Sequence, residues 1–245
     1  IDRSRGLGDV YKRQLGRLII TGVSSGIGRA LAEAALKAGY EVLGVGRRSC
    51  EAIESHDRGQ FFQADLTDAT AVETIPLLPA ASGPNILINN AGTLGPIASV
   101  AEVEHEELAH CMHLNVVAPM RMTARFLQEV EGEKQVYFTG SGAANYPIQG
   151  WAAYCASKAA VHQYAEVVAK EYPDVRIHAF RPGKVDTPMQ AVIRGSSSTA
   201  FADKSHFVEA YEQGELVQPV FVAEKLLEVF VSKTEIPVIF STSNV

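Results

Sequence analysis

Tyr154 and Lys158 stand four residues apart in the run Ala153-Tyr154-Cys155-Ala156-Ser157-Lys158. On a helix that spacing stacks both side chains on one face. A free phenol, with a pKa of about 10, is a poor acid or base at neutral pH, and a nearby ammonium favours its ionised form. Such a pair can pass a proton to or from a reacting oxygen. Ser141 ends an apolar run upstream, where its hydroxyl can hydrogen-bond that same oxygen. The spacing alone also suits a solvated helix face, so the surrounding elements must decide between the two readings.

Those elements alternate. Short apolar runs at residues 17–21, 41–46, 61–64, 85–89, 135–140, 175–180 and 237–240 predict strands. Between them, helical patterns cover 27–38, 105–130, 152–171 and 223–231. The strands are nearly continuous in apolar residues, which suits a parallel sheet covered on both faces. Repeated strand–helix alternation predicts a single α/β domain, a Rossmann-type doubly wound parallel sheet of about seven strands. Residues 67–83 should hold the third crossover, with its helix broken by Pro76 and Pro79. Residues 189–217 read as the one long insertion, and Gly195-Ser196-Ser197-Ser198-Thr199 as a mobile start to it. Residues 1–14 lack periodicity and resemble translated adapter sequence, so they are expected to be non-native or disordered, with the domain spanning 15–245.

Composition removes several function classes. A chain of 245 residues with 47% apolar and 20% charged residues is ordinary for a globular protein. Its net charge of −6 offers no basic face for nucleic acid. No apolar run approaches the ~20 residues that cross a bilayer. Cys50, Cys111 and Cys155 form no paired pattern, which predicts reduced thiols and a cytoplasmic protein. Cys111-Met112-His113 has no second ligand pair, the seven histidines form no cluster, and no metal is expected. Cys155 points about 100° around the helix from Tyr154, so packing is its expected role.

The first strand runs into Thr21-Gly22-Val23-Ser24-Ser25-Gly26-Ile27-Gly28, which opens a helix. Glycines there permit a tight turn and close approach of backbone N–H groups to a pyrophosphate at the helix N-terminus. The T-G-x-x-x-G-x-G spacing resembles the short-chain dehydrogenase/reductase family. Asn89-Asn90-Ala91-Gly92, Asn115, Ser141, Tyr154, Lys158 and Arg181-Pro182-Gly183-Lys184-Val185-Asp186-Thr187 follow in that family's order. The resemblance runs from about Leu15 to the C-terminus.

The resemblance implies reversible hydride transfer between a nicotinamide and a carbonyl carbon. Tyr154 would be general acid/base, and Lys158 would lower its pKa and hold the nicotinamide ribose. Ser141 would polarise the carbonyl, and Asn115 would hold a water that links Lys158 to solvent. Cofactor contacts would come from Gly22, Ser24, Ser25, Gly26, Ile27 and Gly28, from Asp65 and Leu66 near the adenine, and from Asn89, Ala91 and Gly92. Pro182, Gly183, Val185 and Thr187 would hold the carboxamide, while Asp186 organises its loop. At the end of the second strand stand Arg47 and Arg48 and no acid. A guanidinium pairs bidentately with a 2′-phosphate, so NADP(H) is the expected cofactor.

Asn89–Gly95, the stretch from Gly150 to Cys155, and Pro182–Gln190 resemble the sepiapterin reductases and related bacterial benzil reductases. That likeness implies a ketone or vicinal dicarbonyl as substrate, walled by Ser141, Trp151, Tyr154 and Met189, with 189–217 as a lid. The chain ends Phe240-Ser241-Thr242-Ser243-Asn244-Val245 without the acid that would anchor a pterin, which favours a broader carbonyl reductase. A 3-oxoacyl-carrier-protein reductase, or a sugar or steroid alcohol dehydrogenase, is the alternative on the same scaffold. A non-catalytic NADP sensor is the alternative of another class. Family precedent implies a homodimer or homotetramer built on 105–130 and 152–171.

Overall fold

A computed structural model describes residues 16–80, 82–196 and 199–245. The expected foreign segment, 1–14, and two serines of the expected mobile stretch, Ser197 and Ser198, lie outside the described residues. In chain order the elements are β1 (Arg17–Thr21), α1 (Gly26–Ala38), β2 (Glu41–Gly46), α2 (Glu51–Glu54), β3 (Gly59–Gln63), α3 (Ala69–Thr74) and β4 (Asn85–Asn89). Then come α4 (His105–Met112), α5 (Ala118–Glu129), β5 (Lys134–Thr139), α6 (Ala152–Glu171), β6 (Arg176–Arg181), α7 (Pro188–Gly195), α8 (Lys204–Glu212), α9 (Pro219–Val231) and β7 (Ile239–Ser241). All seven strands join one parallel sheet in the order β3-β2-β1-β4-β5-β6-β7.

Why the strands are apolar throughout follows from where alternate residues go. Successive side chains on a strand point to opposite faces. Leu18 and Ile20 of β1, with Ile86 and Ile88 of β4, pack on one face against Leu31 and Ala35 of α1 and Leu226 and Phe230 of α9. Ile19 and Leu87 point to the other face, against Met122 and Phe126 of α5 and Val161 and Ala165 of α6. Two apolar layers therefore sandwich the sheet. The strand order reverses direction between β1 and β4, and in open α/β sheets ligands bind at the carboxyl ends beside that switch point.

Local chemistry sets the boundaries that differ from the expected ones. β3 starts at Gly59, earlier than residue 61, and tucks under α2, where a Cβ at 59 would lie 2.1 Å from the Ile53 carbonyl. α3 stops at Thr74 because Ile75 precedes Pro76 and is extended, as residues before proline prefer. α7 and α9 both open on proline, whose missing N–H is harmless in a first turn. For α9 this start replaces the expected one at 223. The 189–217 insertion is largely helical, built of α7 and α8.

The expected unbroken helix over 105–130 is wrong in one informative respect. α4 and α5 are joined by a π-turn at His113–Val117, where the Ala118 N–H reaches back five residues to the His113 carbonyl. Pro119 explains the widening, since it lacks the N–H that a regular α-helix would send to the Asn115 carbonyl. Such turns collect at functional sites, and this one carries Asn115.

Candidate active site

At the carboxyl ends of β1, β4 and β5 lies a cleft of about 720 Å³. Its first wall is the glycine turn after β1. Gly22 and Gly26 adopt φ of +75° and +58°, in the left-handed region that favours glycine. A Cβ on Gly22 would meet the Ala91 Cα at 2.8 Å. Gly28 does not line the cleft; its role is packing, because a Cβ there would sit 2.2 Å from the Gly22 carbonyl and 2.4 Å from Asn90 Nδ2. α1 opens at Gly26 with no acidic residue in its first turn and no side-chain cap from Ser25. Its first N–H groups have no partner within the helix and suit an anion.

Arg47 and Arg48 lie exposed on the rim of the same cleft. Neither forms an ion pair among the described residues. Next to them, Asp65 Oδ1 accepts from the Thr67 amide at 3.0 Å and the Thr67 hydroxyl at 2.7 Å. Those bonds hold the carboxyl below its ordinary pKa, and the Arg47 charge adds to the effect. Leu66, Ser24, Ser25, Ile27, Ala91 and Gly92 line the cleft as expected, as do Pro182, Gly183, Val185 and Thr187.

Asn89 does not join them. Its side chain turns away from the cleft and donates to Thr123 Oγ1 on α5 at 3.1 Å. The cleft residue of the pair is Asn90, whose amide donates to the carbonyls of Thr21 and Gly22 at 3.0 and 3.1 Å and so ties the glycine turn to the end of β4. Both asparagines stand in the Asn89-Asn90-Ala91-Gly92 motif, and the alternation along β4 sends Asn89 away from the cleft. His110 of α4 and the carbonyl of Thr139 were missed altogether.

Tyr154, Lys158, Ser141 and Asn115 come together. Ser141 is extended at the end of β5, and its Oγ accepts from the Ala143 N–H at 3.1 Å. That bond occupies a lone pair and leaves the hydroxyl hydrogen to donate. Tyr154 and Lys158 share one face of α6, both buried, with the ammonium 5.6 Å from the centroid of the phenol ring. Burial pushes the Tyr154 pKa up to about 12, and a hydrogen bond with Ser141 opposes it. Burial also brings Lys158 down to about 8. The expectation that Lys158 depresses the Tyr154 pKa therefore needs correction: desolvation dominates, and the ammonium is engaged with the Thr139 carbonyl at 2.7 Å.

Asn115 is a clamp. Its Oδ1 accepts from the Thr93 N–H at 2.9 Å, while its Nδ2 donates to the Thr93 carbonyl at 2.8 Å and to Ser157 Oγ at 3.0 Å. The Gly92–Thr93 loop is thereby fixed beside Lys158, where a Cβ on Gly92 would lie 3.8 Å from Nζ.

The far end of the cleft is apolar. Trp151 packs edge-on to Tyr154 with ring centroids 5.7 Å apart, and lies tilted against Phe207 of α8 at 5.3 Å. Leu94, Met189 and Ile193 complete that wall. Cys155 points elsewhere, its Sγ 3.9 Å from the Tyr146 carbonyl. Among the described residues no cluster of metal-binding side chains occurs, and no helix is long and apolar enough to cross a membrane.

Comparison with known proteins agrees with this geometry. Residues 17–197 match the short chain dehydrogenase family. The chain is similar to a benzil reductase ((S)-benzoin forming) of Bacillus cereus, 36% identical over 228 residues, covering 85% of this chain and 91% of that protein. It is also similar to the sepiapterin reductase of Bos taurus, 33% identical over 233 residues, covering 85% and 87%. Among solved structures, a short chain dehydrogenase/reductase of Saccharomyces cerevisiae superposes with a TM-score of 0.79 at 25% identity, covering 92% of this chain and 95% of that one. A glycine turn, a Tyr–Lys helix and a serine meeting in one cleft, on a chain so matched along most of its length, place this protein in the short-chain dehydrogenase/reductase family of nicotinamide-dependent oxidoreductases.

Proposed function

We propose that this protein is an NADPH-dependent carbonyl reductase that converts a ketone or vicinal dicarbonyl to the alcohol. One observation carries the reading. A single cleft joins an arginine-rimmed glycine turn to an apolar wall, with Tyr154 between them. The cofactor end suits a dinucleotide because Ser24, Ser25 and Gly26 line the cleft where α1 opens, and a Cβ at 183 would meet nothing within 4 Å. Arg47 and Arg48 would take the 2′-phosphate, and the N-terminus of α1 the pyrophosphate. Bound NADPH supplies the hydride.

The protein supplies the rest. Tyr154, neutral at physiological pH, donates its proton to the carbonyl oxygen. The Ser141 hydroxyl hydrogen-bonds that oxygen and stabilises the charge that develops on it. Lys158, anchored by Thr139, keeps two further N–H bonds for the ribose hydroxyls. Trp151, Leu94 and Met189 hold the organic substituents and exclude water, and α7 and α8 form the lid. The unpaired thiols of Cys50, Cys111 and Cys155 suit a reducing compartment, the cytoplasm. Exposed Leu108, Val117 and Val167 on α4 to α6 suit pairing of two copies through those helices.

NADPH oxidation with benzil, diacetyl, sepiapterin and an acetoacetyl thioester tests the reading. Fastest turnover with the aryl diketone is expected. Preference for the thioester would favour a carrier-protein reductase, and tight NADPH binding with no turnover of any carbonyl would favour a sensor.

A further inference from the structure

Two polar atoms in the apolar half of the cleft have no hydrogen-bond partner among the described residues: Gln190 Oε1 and the Trp151 indole Nε1. Both residues line the cleft, and they are only 8% and 4% exposed. Gln190 lies in the first turn of α7, where its backbone N–H already bonds to the Thr187 carbonyl at 2.9 Å. Its side-chain Oε1 is therefore the unsatisfied group, on a wall otherwise made of Met189, Ile193 and other apolar side chains. Buried amides without partners are rare in folded proteins, because removing them from water is unfavourable unless a hydrogen bond replaces it. A leucine or methionine would fill the same space without that penalty.

We propose that Gln190, with the Trp151 N–H that lines the same cleft, binds the second oxygen of a vicinal dicarbonyl, the one that is not reduced. This assignment rests on the carbonyl reductase reading and names its substrate class. The terminal amide torsion is soft, so Gln190 presents its N–H to a carbonyl or its Oε1 to a hydroxyl. It thus matches both a diketone and the α-hydroxy ketone formed from it. The indole N–H adds a donor for either oxygen. A monoketone leaves both groups as they stand, so it forgoes the hydrogen bonds that a second oxygen gains, and the site discriminates in favour of the dicarbonyl.

The test compares benzil with deoxybenzoin, which keeps both phenyl rings and loses one oxygen. kcat/KM for each is measured with NADPH for the wild type, for Gln190→Leu and for the near-isosteric Gln190→Met. Both variants should lose about tenfold on benzil, equal to about 1.4 kcal/mol, and change less than about twofold on deoxybenzoin. Their melting temperature should not fall, because the unpaired amide is gone. If the wild type reduces both ketones and the variants shift them equally or not at all, the assignment to Gln190 is wrong while the carbonyl reductase reading survives. If the wild type reduces neither, both fall together.

Discussion

Burial and hydrogen bonding pull the Tyr154 phenol in opposite directions, and burial wins. The phenol stays protonated far above neutral pH, which is the form that reduction needs, while alcohol oxidation should accelerate as pH rises. Lys158 behaves the other way. With its pKa lowered to about 8, it is charged below that pH and neutral above it. kcat/KM for NADPH should therefore be level from about pH 6 and decline above about pH 8, as free-enzyme groups dictate; a profile flat to about pH 10 contradicts the role given to Lys158. With Arg47 taking the 2′-phosphate as proposed, Arg47→Ser should raise KM for NADPH roughly 10- to 100-fold with little effect on NADH. Equal loss with both cofactors would mean Arg47 does not read the phosphate. Helical spacing made the Tyr154–Lys158 pair legible from sequence alone. The engagement of the ammonium by Thr139 was not, because that carbonyl comes from a strand distant in the chain. Asn89 and Asn90 were similarly indistinguishable until the facing of β4 was known.

Periodicity and turn chemistry carry most of the element scale. β1, β2, β4 and α6 begin and end where apolar runs and flanking polar residues place them. The π-turn was invisible because the amphipathic pattern over 105–130 survives one extra residue, although Pro119 was the available signal. Pro119→Ala restores the missing N–H and lets an α-helical bond form to the Asn115 carbonyl. The Asn115 clamp on Thr93 should then shift, lowering kcat roughly 10- to 100-fold with helix content by circular dichroism unchanged. Full activity in that variant would show that the turn is incidental. Gly28→Ala forces a methyl into the Gly22 carbonyl and the Asn90 amide. Overpacking of this kind costs about 1–3 kcal/mol, so calorimetry should record a lower melting temperature and NADPH titration a weaker Kd. Unchanged values for both would show that α1 does not lean on the turn as described.

On the scale of the molecule, two apolar layers hold the sheet and two histidines make it acid-sensitive. His162 is brought down to about 4 by burial, helped by the charges of Arg181 and Lys158. Burial brings His178 to about 4 as well, against the hydrogen bond to the Pro237 carbonyl. Unfolded histidine titrates near 6.5, so between about pH 6.5 and about pH 4 the unfolded chain binds more protons and stability falls as the pH drops. The melting temperature should decline through that window by several degrees, and His178→Asn should shrink the decline; a melt unchanged down to about pH 4 contradicts it. The fold class was legible because strand–helix alternation admits few topologies. How the cleft joins its two halves was not, because Trp151, Met189 and Phe207 meet only once α7 and α8 fold over the sheet. That junction is the central claim, and Tyr154 stands at it. Its most direct test is NADPH oxidation with benzil by the wild type and Tyr154→Phe, alongside NADPH binding followed by cofactor fluorescence. The variant should lose about 10²- to 10⁴-fold in kcat with its NADPH Kd unchanged, whereas wild-type turnover in Tyr154→Phe would contradict proton donation by this residue.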